Sequence, residues 1–403
     1  MSNSRIIEGL SQYILTDGFH IVVDVDKSNG SWIVDAESGK KYLDCYSQFA
    51  SQALGWNHPA LIDAQLHLGK VAMHKLANSD MYSQEYYDFV LRFGSITPDF
   101  SHYFFIEGGA LAVENAIKAA FDWKAHKLGI NSAEAVNKMD IAHMHKAFHG
   151  RTGYTLSMTN TDRNKTRLFP KFNWTTMFNA DALGQYIHSN TAAIIVEPIQ
   201  GEGGDNHFGE DFFVELRHLA DKYGAMLIFD EIQTGVGLTG KMWAYEHFGV
   251  KPDMLCFGKK TQVCGFCSTN RIDEVKDNVF NTSSRINSTW GGNIVDMARF
   301  GHVIDVIKED GLVQNAHDVG GHLLNQLKGV SGISNVRGRG LMIAFDLKNE
   351  IERDSVMCFL QKNMLALECG HRSIRLRPAL TFSKADADDA CTFIQDALHR
   401  ERI

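Results

Sequence analysis

Three short stretches hold side chains suited to one kind of chemistry. In CFGKKTQVCG, Cys256 to Gly265, an apolar run ends at a glycine followed by two lysines. A lysine whose proton is lost in a desolvated pocket attacks an aldehyde and forms a Schiff base. The pair alone does not say whether Lys259 or Lys260 does this, because adjacent lysines commonly mark a solvated turn. Asp230 closes a second apolar run, AMLIFD. A carboxylate there is partly desolvated and calls for a cationic partner. Gly108-Gly109-Ala110 follows the run HYFFIE and opens a helical stretch. Backbone N–H groups unobstructed by side chains suit a phosphate at such a helix start.

Phosphate donors, an acid and a lysine meet the three needs of pyridoxal phosphate, which has a phosphate, a pyridine nitrogen and an aldehyde. Other phosphate chemistries fail on spacing. The turn at Gly108 lacks the G-x-G-x-x-G of dinucleotide sites, and GKKT has a lysine where a nucleotide-binding P-loop needs Ser or Thr. His143, His145 and His149 form an H-x-H-x-x-x-H run with no acidic ligand cluster nearby. It reads as strand and loop packing, and no metal is expected. Cys264 and Cys267 have no second pair at metal spacing.

The elements that must position these groups follow from hydrophobic pattern. HYFFIE (102–107), AAIIVEP (192–198), AMLIFDE (225–231) and DMLCFG (253–258) read as parallel strands buried on both faces. LAVENAIKAAFDWKAHK (111–127) and DFFVELRHLADKYG (211–224) read as helices between them. The alternation predicts an α/β fold with a mostly parallel sheet. Such sheets bind ligands at the carboxyl ends of their strands. Those ends run into Glu107-Gly108-Gly109, Glu197-Pro198, Asp230-Glu231 and Gly258-Lys259. Residues 20–45 read as short strands with Asn-Gly and Ser-Gly turns. Beyond about residue 295, helical and turn-rich stretches indicate a smaller α+β domain. The expected division is an N-terminal segment joining the small domain (1–50), a large cofactor-binding domain (51–295) and a C-terminal small domain (296–403).

A chain of 403 residues is long for one core, which favours two domains. The formal charge of −8 argues against nucleic acid or an anionic membrane as partner. No apolar run approaches the ~20 residues of a membrane span, and the start lacks a signal-peptide block. Seven cysteines, an odd number set mostly in apolar contexts, suit buried thiols in a reducing compartment. A cytoplasmic location is expected.

With these residues in view, the chain resembles the fold-type I, class III aminotransferases. The resemblance rests on IFDEIQTG (228–235), FGKK (257–260), VEPIQGEGG (196–204), KAFHGRTGY (146–154), NSTWGGN (287–293), RGRGLM (337–342) and IRLRPAL (374–380), and extends from residue 42 onward. It implies that Lys259, directly after Gly, is the Schiff-base lysine, and Lys260 a local structural or solvent contact. By position it also implies Asp230 at the pyridine nitrogen of pyridoxal 5′-phosphate, Gln233 near the ring 3-oxygen and Phe148 on the ring face. Gly109 and Ala110 would hold the phosphate through backbone amides. Thr289 would reach that phosphate from a neighbouring subunit, so a homodimer with a shared site is expected.

The family's phosphate turn usually reads S-G-[ST]-E-A, whereas this chain has Gly108-Gly109-Ala110-Leu111-Ala112 and lacks the hydroxyl. GGALAVENA, FGKKTQVCG and NSTWGGN are similar to the branch that moves the terminal amino group of lysine to 2-oxoglutarate, giving glutamate and 2-aminoadipate semialdehyde. For such substrates Arg151 and Arg375 are carboxylate anchors, since arginine suits bidentate recognition. Glu202 would act as a switch, paired with an arginine for one substrate and displaced for the other. Asn287 would orient the lysine α-group, and Arg377 reads as a salt-bridged arginine outside the binding set. The alternatives are a related aminotransferase for ornithine, a β-amino acid or 4-aminobutyrate, and an aminomutase or isomerase on the same fold.

Overall fold

Three of the four long apolar runs become interior strands of a seven-stranded sheet in the computed structural model, which describes residues 4–401. HYFFIE, expected as a parallel strand buried on both faces, instead forms a half-buried edge strand paired antiparallel. In chain order the seven strands are β1 (His102–Ile106), β2 (Asp140–Met144), β3 (Thr176–Met177), β4 (Thr191–Val196), β5 (Met226–Asp230), β6 (Met254–Phe257) and β7 (Cys264–Ser268). They lie in the order β1-β7-β6-β5-β4-β2-β3. Strands β3, β2, β4, β5 and β6 run parallel to one another, and β7 runs antiparallel to both β6 and β1. Every residue of β2, β4, β5 and β6 is buried, as expected for a sheet covered on both faces.

The two faces are distinguished by residue parity. Ile228 and Met226 of β5 pack with Val113, Ile117 and Trp123 of helix α1 (Gly109–Leu128). Leu227 and Phe229 pack with Phe213 and Leu216 of helix α2 (Glu210–Tyr223). Both helices stop at a glycine in the left-handed region, Gly129 (φ 63°) and Gly224 (φ 59°), where the freed carbonyls find new donors.

A second, four-stranded antiparallel sheet has the order Ser334–Arg339, Met342–Asp346, Ser373–Leu376, Leu367–Cys369. The short strands expected in residues 20–45 include Trp32–Val34 and Lys41–Asp44, which pair antiparallel. Lys41–Asp44 also pairs in parallel with Met364–Leu365, which joins the N-terminal segment to the C-terminal part of the chain. Among the described residues no helix is long and apolar enough to cross a membrane. All seven cysteines are free, and only Cys358 is exposed.

Candidate active site

The loops at the carboxyl ends of the strands enclose a cavity of 560 Å³. Its walls include Gly109, Ala110, Phe148, Arg151, Glu202, Asp230, Gln233 and Lys259. The apolar strand β5 carries the Asp230 carboxylate into the interior, where only 5% of the residue is exposed. Its Oδ2 accepts a hydrogen bond from His149 Nδ1 at 2.8 Å, and its Oδ1 one from the Ile232 N–H at 3.2 Å. The partner that burial calls for is therefore an imidazole from the third histidine of the H-x-H-x-x-x-H run. His143 of that run is buried in β2, and burial pushes it down to about 3.

Lys259 follows β6 after one glycine. A Cβ on Gly258 would lie 3.0 Å from Cys264 Sγ, so the chain turns there without a side chain. Lys259 and Gln262 both take positive φ (55° and 62°), a cost that surrounding structure sustains at functional turns. Burial lowers the Lys259 amine to about 8; the Arg375 charge adds to this, while Asp230 and Glu197 oppose it. Lys260 takes the structural alternative of the two expected for it rather than the solvent one. It is buried, its Nζ donates to the Gln233 carbonyl at 3.4 Å, and desolvation drives its amine well below the usual lysine range.

Helix α1 begins at the cavity with no side-chain cap, after Gly108 at φ 103°. A Cβ on Gly109 would lie 3.1 Å from Ile232 Cδ1, and one on Gly150 would lie 2.5 Å from Ala110 Cβ. Small residues thus leave the first amides of α1 uncovered. Glu197, at the end of β4, accepts the Phe148 N–H at 2.9 Å on one oxygen and the Gly201 N–H at 3.2 Å on the other. Burial pushes its carboxyl up to about 7, against the pull of nearby His149.

Two arginines of the smaller sheet meet this region differently. Arg377 is the salt-bridged arginine expected: its Nη2 donates to both Asp205 oxygens at 2.8 and 2.7 Å. Its Nε donates to Gln233 Oε1 at 3.2 Å. Arg375 is 5% exposed, yet its Nε and Nη1 have no hydrogen-bond partner. Arg151 is exposed at the cavity wall.

Glu202 stands in the arginine-free one of its two expected positions. In this state its partner is not an arginine; its Oε1 pairs with Lys165 Nζ and accepts from Thr161 Oγ1 at 3.1 Å. Asn287 and Thr289 are exposed and do not line the cavity of their own chain. Sequence reasoning missed His149 and Glu197 as supports, Lys165 as a counter-ion, and Ser51 and Gln262 as further wall residues. Glu197 carried a readable signal, an acid ending an apolar strand as Asp230 does. Ser51 carried none, since it follows four non-glycine residues in the left-handed region, Ser47 to Ala50.

The chain matches the Aminotransferase class-III family over residues 14–398. It belongs to the class III aminotransferases. This class III aminotransferase is 43% identical to the L-lysine-epsilon aminotransferase of Mycobacterium tuberculosis strain H37Rv, with 98% of this chain and 95% of that one covered. It is 41% identical to the L-lysine-epsilon aminotransferase of Amycolatopsis lactamdurans, with 94% and 92% covered. Among solved structures, the lysine aminotransferase from M. tuberculosis in the internal aldimine form superposes with a TM-score of 0.93 at 42% identity, with 100% of both chains covered. The fold is therefore fold type I, and the cofactor of this aminotransferase is pyridoxal 5′-phosphate. The cavity's chemistry fits that group: an uncapped helix start for a phosphate, a buried carboxylate for a ring nitrogen and a lysine of lowered pKa for an aldehyde.

Proposed function

We propose that this aminotransferase transfers the terminal amino group of L-lysine to 2-oxoglutarate, giving 2-aminoadipate 6-semialdehyde and glutamate. The observation that carries this reading is a lysine of lowered pKa in a cavity with Arg151 in its wall, and behind that wall a second arginine, Arg375, buried with two unpartnered nitrogens and near enough for its charge to act on the lysine. An amino donor whose reacting amine is far from its carboxylate needs an anchor at a distance. A dicarboxylic acceptor needs two. The full-length likeness to L-lysine-epsilon aminotransferases supports lysine as the donor.

Pyridoxal phosphate, when bound, supplies a carbonyl that condenses with amines and a ring that takes up electrons from the breaking C–H bond. The chain's residues do the rest. Gly109 and Ala110 hold the phosphate through backbone N–H groups at the start of α1. Asp230 would accept a hydrogen bond from the pyridine nitrogen and keep that nitrogen protonated, and His149 would fix which carboxylate oxygen faces it. Gln233 would serve the ring 3-oxygen: its Oε1 is engaged by Arg377, which leaves its NH₂ to donate. Phe148, its backbone fastened to Glu197, would cover the ring face. Lys259 moves the proton from the substrate's terminal carbon, a task suited to an amine whose pKa lies near 8.

Arg375 and Arg151 bind the substrate carboxylates. Glu202 neutralises Arg375 when the donor presents no second carboxylate. Thr289 and Asn287 lie two residues apart on one exposed stretch, and a partner subunit presents both to this site, the former to the phosphate and the latter to the lysine α-group. The working unit in this reading is a homodimer of subunits divided at residues 50 and 295. A panel of ω-amines with 2-oxoglutarate tests the proposal by glutamate formation. Lysine is expected to lead; turnover of ornithine or 4-aminobutyrate with none from lysine would overturn the donor.

A further inference from the structure

Arg375 is a buried cation with two nitrogens lacking partners, and Glu202 is the acid assigned to neutralise it. The carboxylate is nevertheless held elsewhere. We propose that Lys165 is the parking partner of Glu202: it competes with Arg375 for that carboxylate and so sets how often Arg375 is free for a dicarboxylic acceptor. The inference rests on the reading of Arg375 as the acceptor's anchor.

Several features restrict the competition to a side-chain swing. The turn that carries Glu202 is immobilised on every side. The Glu202 carbonyl accepts the Gly370 N–H at 3.0 Å, the Gly201 N–H is held by Glu197 at 3.2 Å, and Arg337 Nη2 donates to the Gly204 carbonyl at 2.6 Å. A Cβ on Gly203 would lie 2.1 Å from the Lys146 carbonyl oxygen, so the turn sits directly on a neighbouring backbone. The carboxylate is thus the only part of Glu202 with somewhere to go.

The two destinations lie on opposite sides of that turn. Gly370 follows the strand Leu367–Cys369, in which Leu367 pairs with Arg375, so Gly370 and Arg375 are three residues apart along the strands, about 10 Å at the rise of a strand. A meeting of Glu202 and Arg375 needs both side chains extended. On the other side, the Lys165 amine and the Thr161 hydroxyl both meet Oε1. Lys165 ends a short 3-10 turn, Arg163–Lys165, capped by the Asp162 side chain, which accepts from the Asn164 N–H at 2.8 Å. Its amine therefore comes from a built turn.

The Lys165–Glu202 pair is partly exposed, with side chains 37% and 22% accessible. Such a pair contributes up to about 1 kcal/mol, which biases a two-position carboxylate about fivefold. That is a tuning effect: too strong a hold would leave Arg375 uncompensated with lysine bound, and too weak a hold would block the acceptor. Glutarate, the dicarboxylate without a keto group, binds without reacting and reports the free fraction of Arg375.

Calorimetric titration of the holoenzyme with glutarate tests the proposal. Lys165→Met is expected to weaken binding, by up to about fivefold, and Lys165→Arg to restore it. In a Glu202→Gln background, Lys165→Met is expected to change nothing, because the competing carboxylate is gone. A persisting loss in that background would overturn the proposal, by showing that Lys165 attracts the anion directly. An unchanged affinity in Lys165→Met alone would also overturn it. Arg375→Met separates the two readings: if it leaves glutarate binding intact, the anchor assignment itself fails, whatever Lys165 does.

Discussion

Lys259 and Lys260 are neighbours on one turn of the larger sheet, and Arg375 and Arg377 are two residues apart at one end of the smaller sheet. Within each pair one cation is satisfied by the chain and the other is not. Arg377 has Asp205, Gln233 and the Leu376 carbonyl, and Lys260 has the Gln233 carbonyl. Arg375 keeps two unpartnered nitrogens, and Lys259 lines the cavity with its amine lowered to about 8. Lys260, Arg375 and Arg377 are buried and Lys259 is half-buried at the cavity, so burial alone marks no functional residue. A covered basic group that the fold leaves without its own hydrogen-bond partner is the one that awaits a ligand. The satisfied member of each pair shapes the floor on which the other works, and both satisfied members act through Gln233.

The contrast is broken most severely at Lys259. Lys259→Ala is expected to lower the transamination rate by about 10³-fold or more, the scale of a lost proton-transfer group. Lys260→Met is expected to retain both turnover and the cofactor's visible absorbance. Loss of that absorbance in the Lys260 variant would reverse the assignment.

The arginine pair should divide along stability and binding. Arg377→Met leaves Asp205 buried without its partner, and should cost about 3–5 kcal/mol in a denaturant titration. Arg375→Met removes an unpartnered charge, so stability should hold or rise. The KM for 2-oxoglutarate should instead increase about 10- to 100-fold, the value of a charged hydrogen bond. A large stability loss in the Arg375 variant would contradict the contrast.

Lys259 also predicts a pH dependence. Only the neutral amine attacks an aldehyde, so the rate at which apoenzyme captures pyridoxal phosphate should rise with pH and level off above about 8. A rise continuing toward the ordinary lysine range would show that the amine is not desolvated. The smallest effect is expected at Thr289, outside its own chain's cavity. Thr289→Ala should weaken cofactor retention about fivefold, equivalent to one hydrogen bond of about 1 kcal/mol. No change on dilution or dialysis would remove this contact from the shared-site picture.

What could be read from the sequence follows the same physical division. Strand tips were legible because an apolar run ends where the chain meets a ligand, and so Asp230, Lys259 and the start of α1 stood out. The long central strands were legible for the same reason, whereas β3 spans only two residues and β7 is a mixed CGFCS. Contacts made through loops were not legible. His149 reaches Asp230 across 81 residues, and Lys165 reaches Glu202 across 37, from segments whose local pattern favours no partner. The lysine pair looked like a solvated turn because hydrophobic pattern reports the average burial of a segment, whereas Lys260 is covered by distant residues.

The central claim concerns which nitrogen moves. Holoenzyme given 2-oxoglutarate and lysine labelled with ¹⁵N at the terminal position should yield ¹⁵N-glutamate, and lysine labelled at the α position should yield unlabelled glutamate. Label arriving from the α position, or no glutamate from either, would contradict the account.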